Sequence, residues 1–272
     1  MSLGIALKAA GGIVLAADSR VTLNRTIQSA GPTPTTTLIP ATFDNATKLL
    51  SVPGQPYVGA VTFGLGALGQ AEPRTAASFL PEFDKTLAGL ARLSVEEFAA
   101  ALSDFYMGQW KRLMPAGYAG DDMIFLVGGY DDGAAYGRVF SLSIPKEPAP
   151  LEQFAGDFGA VWGGQRAYAD RLMNGFDDAT IAGVRDHLGL NPSQVTDLIT
   201  YLKQHNPMPI PYQFLPLQDC VDLCVALVRS TINMQRFIID VRGVGGPIDV
   251  ATVTPADGFR PVQQKEIRGE RP

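Results

Sequence analysis

Cysteine and histidine are scarce, two of each in 272 residues, and that scarcity excludes several chemistries at once. Cys220 and Cys224 stand four apart in LQDCVDLCVALVRSTI, where the apolar residues recur at helical spacing and both thiols fall on one helix face, so they read as core residues. A zinc site asks for convergent ligands, whereas His187 and His205 lie 18 residues apart in unrelated contexts; no metal and no cofactor is expected. Neither histidine sits in a motif such as a nucleophile elbow, which leaves a Ser-His-Asp triad without support. Long apolar runs are missing as well. No segment approaches the roughly 20 apolar residues of a membrane span, and the first residues lack a basic stretch followed by an apolar one. Excess positive charge is absent: a net charge of −5 offers no basic field to nucleic acid or an anionic membrane. The expected setting is the cytoplasm.

What is present begins with Ser2 to Arg20, SLGIALKAAGGIVLAADSR. Leu3 to Leu7 and Ile13 to Ala17 are strand-length apolar runs on either side of Lys8-Ala9-Ala10-Gly11-Gly12, and a glycine pair between two such runs is a strong hairpin signal. A hairpin carries Asp18 back toward Ser2. A hydroxyl that shares its residue with a free α-amine has a general base built in.

The run GGIVLAADSR resembles the opening of proteasome β-type subunits, N-terminal-nucleophile hydrolases, in their bacterial proteasome-like branch. With Ala16-Ala17-Asp18-Ser19-Arg20 laid on the family's element without a gap, the family's terminal threonine falls on Ser2, with Met1 ahead of it. The resemblance implies that Ser2 is the nucleophile once Met1 is removed, and a serine hydroxyl needs the same deprotonation and oxyanion stabilisation as a threonine. It implies a lysine on the next strand, here Lys48 in ATKLLSV, reached through an inserted loop over about 21–47. An ammonium opening an apolar strand needs a partner, and Asp18 supplies one if the strands lie side by side. Such a pair polarises the hydroxyl and biases the α-amine, whose ordinary pKa is roughly 7.7 to 8.0, toward its neutral form. The loop, rich in Thr, Pro and Asn, shows no sustained period, and reads as a loop or an irregular hairpin. Thr35 to Thr37 is a decoy for a processing site, because cleavage there would discard the hairpin.

Tyr57 to Phe63 reads as a strand running into Gly64, which the resemblance makes the oxyanion-hole glycine, with Thr62 in the wall of the substrate pocket. A glycine there lets a substrate carbonyl approach the main chain. Residues 75–113 read as two stacked helices, the second opened by the capping box Ser94-Val95-Glu96-Glu97. Asp121 to Gly129 and Tyr136 to Ser143 form a hairpin around Asp131-Asp132-Gly133. The family's two accessory serines are missing: VWGGQRAYADRLMNGF places Trp162 at the first, and IIDVRGVGGPIDVATVT places Val244 at the second, with the nearest acid, Asp240, one residue out of register. Helical stretches cover Asp177 to Leu188 and Ser193 to Gln204, followed by the proline-rich NPMPIPYQFLP, a candidate oligomer contact, and by the cysteine helix. The tail from Gln263 is charged and expected to fray.

This order of elements is α+β, since no strand, glycine-rich turn and helix unit with a nucleotide fingerprint occurs. The resemblance implies a four-layer αββα sandwich, two antiparallel sheets flanked by helices, as one domain over residues 1–262 with the tail at 263–272. It also implies a proteasome-like peptidase acting on peptide or protein substrates in a homo-oligomeric ring, with any unfoldase partner left open. A small-molecule amidase uses the same parts. A catalytically silent subunit with an assembly role is the alternative that the missing serines favour.

Overall fold

The opening hairpin forms where its glycines direct it. In the computed structural model, which describes residues 2–28, 36–69, 72–239, 241–267 and 269, β1 (Leu3–Ala9) returns as β2 (Gly12–Asp18), with Gly4 opposite Ala17 and Ala9 opposite Gly12. The chain continues through β3 (Val21–Gln28), β4 (Thr36–Phe43), β5 (Leu49–Leu50), β6 (Val58–Gly64), β7 (Ala67–Leu68) and β8 (Arg74–Thr75) to α1 (Leu80–Thr86) and α2 (Val95–Leu113). Strands β9 (Met123–Gly129), β10 (Arg138–Ile144), β11 (Glu147–Gln153) and β12 (Gly159–Gly164) follow. Then come α3 (Ala167–Asn174), α4 (Asp178–Leu188), α5 (Pro192–His205), α6 (Leu217–Gln235), β13 (Ile248–Thr254) and β14 (Gly258–Gln263).

These elements make an α+β fold with two five-stranded antiparallel sheets, ordered β12-β1-β2-β13-β14 and β11-β10-β9-β6-β5. The strand period of two explains how both faces of the first hairpin are buried. Leu3, Ile5, Leu7, Val14 and Ala16 meet Cys220, Cys224, Leu227 and Val228 of α6. Ala6, Ile13, Leu15 and Ala17, on the alternate positions, meet Val61, Phe63, Leu126 and Val139 of the second sheet. On that sheet's other face, Phe98, Leu102 and Tyr106 of α2 pack on Phe125, Phe140 and Leu142. Each large side chain buried in this way contributes about 1.5–3 kcal/mol. The Ser94–Glu97 capping box closes the start of α2.

Several expectations needed correction. Residues 21–28 and 36–43 are a regular ribbon with eight residue pairs from Val21↔Phe43 to Gln28↔Thr36, not a loop or an irregular hairpin. Thr35 lies outside the described residues, and Thr36-Thr37 begin β4. Strand β11 went unread because Pro148 and Pro150 interrupt it; it is tolerated because β11 is the edge of its sheet, where missing donors break no interior ladder. The tail is pinned at Lys265, whose ammonium pairs with buried Asp249 and whose backbone N–H donates to Asp249 Oδ1 at 3.0 Å. Asp249, 2% exposed, requires that cation. In the proline-rich connector, Ile210, Tyr212 and Leu215 pack beside α6.

Candidate active site

The end of β2 and the start of β1 meet at Asp18. Its Oδ1 accepts from Leu3 N at 3.0 Å and from Lys48 Nζ at 2.7 Å, while Oδ2 accepts from Arg20 N and Gly245 N, each at 3.0 Å. Every acceptor site used is filled by a charged or backbone donor, so a fully buried carboxylate is stabilised where it stands. Lys48 has a second partner in the Arg20 carbonyl at 2.7 Å. Burial pushes the Lys48 ammonium below the ordinary lysine value, and Asp18 opposes that push. Arg20 closes the outer side, its guanidinium holding Asp44 through Nε at 2.5 Å and a second nitrogen at 2.8 Å, and the pair lowers the Asp44 carboxyl.

Ser2, 5% exposed, lies with Lys48, Thr62 and Gly64 around one small cavity of about 20 Å³. The two glycines beside it are there for geometry. Gly64 ends β6 at φ +82°, and a Cβ would strike the Asp122 carbonyl. Gly164 ends β12 at φ +94°, and a Cβ would strike the Ser2 carbonyl. That carbonyl accepts from Gln165 N at 2.8 Å, so the corner after β12 grips the residue ahead of β1. Thr62 is buried and its Oγ1 has no hydrogen-bond partner among the described residues.

Two glutamines missed in the sequence link the elements on either side of Ser2. Gln235, at the end of α6, accepts from Val244 N at 3.1 Å and donates through Nε2 to Gln165 Oε1 at 2.5 Å. A chain of amide bonds therefore runs from the turn that serves Asp18 to the corner that holds the Ser2 carbonyl. Only register brings together residues 70 apart in sequence, and no motif marks them. Trp162, at the first lost serine position, turns its indole N–H to Asp170 Oδ1 at 2.8 Å. Burial raises the Asp170 carboxyl, and the indole hydrogen bond works against the rise. Val244, at the second, is buried apolar packing. Asp240 lies outside the described residues, as does Met1. A second buried pair, Lys265–Asp249, reaches the same region through Ser19, which receives a hydrogen bond from Lys265 Nζ at 3.2 Å.

Among the described residues no group of three or more His, Cys, Asp and Glu side chains is placed to hold a metal ion, and no helix is long and apolar enough to cross a membrane.

No protein-family model matches the chain, and no curated protein does. Solved structures do. An Anbu mutant from Hyphomicrobium sp. strain MC1 is 16% identical with a TM-score of 0.54, over 97% of this chain and 86% of that one. The Anbu complex from Pseudomonas aeruginosa, solved as a helical assembly, is 17% identical with a TM-score of 0.57, over 98% of this chain and 88% of that one. Anbu, an ancestral beta-subunit, from Yersinia bercovieri is 16% identical with a TM-score of 0.54, over 96% and 87%. The expected place in the bacterial proteasome-like branch of the proteasome β-type subunits is corrected by these matches: the neighbours are Anbu proteins, and identities of 16 and 17% show a shared fold without showing a family. What the likeness establishes is that this chain shares the overall fold of these Anbu structures.

Proposed function

We propose that the protein hydrolyses amide bonds, most naturally those of peptides, with Ser2 as the nucleophile after removal of whatever precedes it. The observation that carries this reading is the gathering of Ser2, Lys48, Thr62 and Gly64 around one cavity, with buried Asp18 paired to Lys48 at 2.7 Å. The Ser2 α-amine takes the hydroxyl proton as Oγ attacks the substrate carbonyl, and the Gly64 N–H receives the developing oxyanion. The C–N bond then breaks, the same proton passes to the leaving amine, and water cleaves the seryl ester in the second half of the cycle. Lys48 and Asp18 set the local field: a cation near the amine favours its neutral form.

The layers support the rest of the proposal. We read the two antiparallel sheets and the helices packed on them as an αββα sandwich, with residues 1–262 taken as one such unit. Because one similar structure is a helical assembly of Anbu, we extend the reading to homo-oligomers; the closed ring expected from the sequence, which would keep the site from cytoplasmic proteins, is the alternative to an open helix built from the same kind of head-to-tail contact. A silent subunit with an assembly role is favoured by one observation, the replacement of both accessory serines by Trp162 and Val244. The separating experiment is hydrolysis of a peptide-amide panel by the protein with Ser2 at its terminus, against a Ser2→Ala control. Ser2-dependent turnover supports the enzyme; an assembled protein with none supports the silent subunit. A monomer at micromolar concentration by mass photometry with turnover of small amides only favours a small-molecule amidase.

A further inference from the structure

The cavity at Ser2 is tight, and it opens toward a larger one. Its volume of about 20 Å³ is room for about one water molecule. Leu65 and Ala76 help to close it, and Thr62 brings to it a buried hydroxyl with no partner among the described residues. Val21, Ala46 and Thr75 line this cavity and also a neighbouring cleft of about 630 Å³ at the base of the β3–β4 ribbon. Phe43, Pro73 and Ala67 give that cleft its apolar walls. Phe43 pairs with Val21 in the first rung of the ribbon and is 59% exposed, a large ring facing the cleft without a cover. Asp44, the one charged residue among the cleft's described lining, is already held on both carboxylate oxygens by Arg20.

We infer that the substrate carries a small residue, glycine, alanine or serine, at the carbonyl that Ser2 attacks, and a bulky apolar group one or two positions away that fills the cleft against Phe43. This rests on the Ser2 reading above and specifies its substrate. A side chain larger than serine has no volume to enter at Thr62. Serine satisfies the Thr62 hydroxyl, which a buried site otherwise leaves unpaired. An apolar group in the cleft covers an aromatic ring that now faces water, and the gain scales with the apolar area removed from it.

The test uses internally quenched peptides and the protein with Ser2 at its terminus. One set varies the residue at the scissile carbonyl among Gly, Ala, Ser, Leu, Phe, Arg and Glu; a second scans Phe through the flanking positions of an otherwise Gly-rich peptide. The small residues are expected to exceed Leu and Phe by about tenfold or more in kcat/KM, the scale on which pockets discriminate by size. One flanking position is expected at which Phe gains about tenfold over Gly, a gain lost in Phe43→Ala. In Thr62→Val the serine-to-alanine ratio falls. Ser2-dependent cleavage that prefers Leu or Phe at the carbonyl, or a flanking gain unchanged in Phe43→Ala, overturns this inference and leaves the nucleophile in place. Absence of Ser2-dependent cleavage across the whole set overturns the nucleophile reading and this inference with it.

Discussion

Replacing Lys48 by methionine keeps most of the side-chain volume and removes one charge of the buried pair at the centre of the site. Breaking such a pair ordinarily costs about 3–5 kcal/mol, because the surviving charge is left uncompensated. Here Asp18 still accepts from Leu3 N, Arg20 N and Gly245 N, so its carboxylate stays solvated by the main chain. Lys48→Met is therefore expected to fall below that range, about 1–3 kcal/mol. Asp18→Asn should cost more, about 3–5 kcal/mol, because an amide NH2 must face donors on one side and Lys48 loses its counter-charge. The pH dependence separates the two further. Burial lowers the Lys48 pKa on folding, so the unfolded chain binds the proton more tightly. Stability then rises with pH through the window between the folded pKa and the ordinary lysine value of 10.5, and the Lys48→Met protein lacks that rise. Urea unfolding of both variants at several pH values reads all three quantities, and peptide hydrolysis should vanish in both. A Lys48→Met protein that loses more stability than Asp18→Asn would refute the argument that three backbone donors sustain the carboxylate.

Gly64→Ala should lower stability by at least about 1–2 kcal/mol from the left-handed backbone alone and abolish hydrolysis, since the new Cβ drives against the Asp122 carbonyl; thermal unfolding and turnover check both. Gln235→Leu leaves Val244 N without its acceptor and should cost about 1–3 kcal/mol. Gln235→Glu should be more stable at low pH, where a protonated carboxyl donates to Gln165, and lose that stability as the carboxyl ionises, in urea unfolding followed against pH. Lys265→Met strands the buried Asp249 carboxylate and should destabilise by about 3–5 kcal/mol, whereas a frayed tail would give no change in a denaturant titration.

The sequence was informative where local rules decide structure. A glycine pair between apolar runs specified the first hairpin, Ser94 and Glu97 specified the start of α2, and the spacing of Cys220 and Cys224 specified a buried helix face. Lys48 was singled out by the resemblance; the apolar strand it opens suggested only a partly buried ammonium, and its pairing with Asp18 shows in the structure. Strand β11 was hidden by prolines that only an edge permits; in β3, Val21, Leu23 and Ile27 alternate with polar residues, a short strand period that Arg25 interrupts. The Gln165–Gln235 bond and the Lys265–Asp249 pair join residues through sheet register and helix packing, which no local spacing announces. The family expectation went further than the residues allowed: the motif around Asp18 marks a strand pair and a buried acid, and the matching folds are those of Anbu proteins.

A Ser2 hydroxyl can use its own amine only if no peptide bond occupies that amine, because an amide nitrogen has no basicity at neutral pH. Intact-mass analysis of the natively expressed, untagged protein, before and after exposure to a β-lactone or an epoxyketone, tests this directly. The account predicts a chain that begins at Ser2 and gains one equivalent of the electrophile, with no addition to the Ser2→Ala protein. A chain that retains Met1 and takes up no electrophile would contradict it.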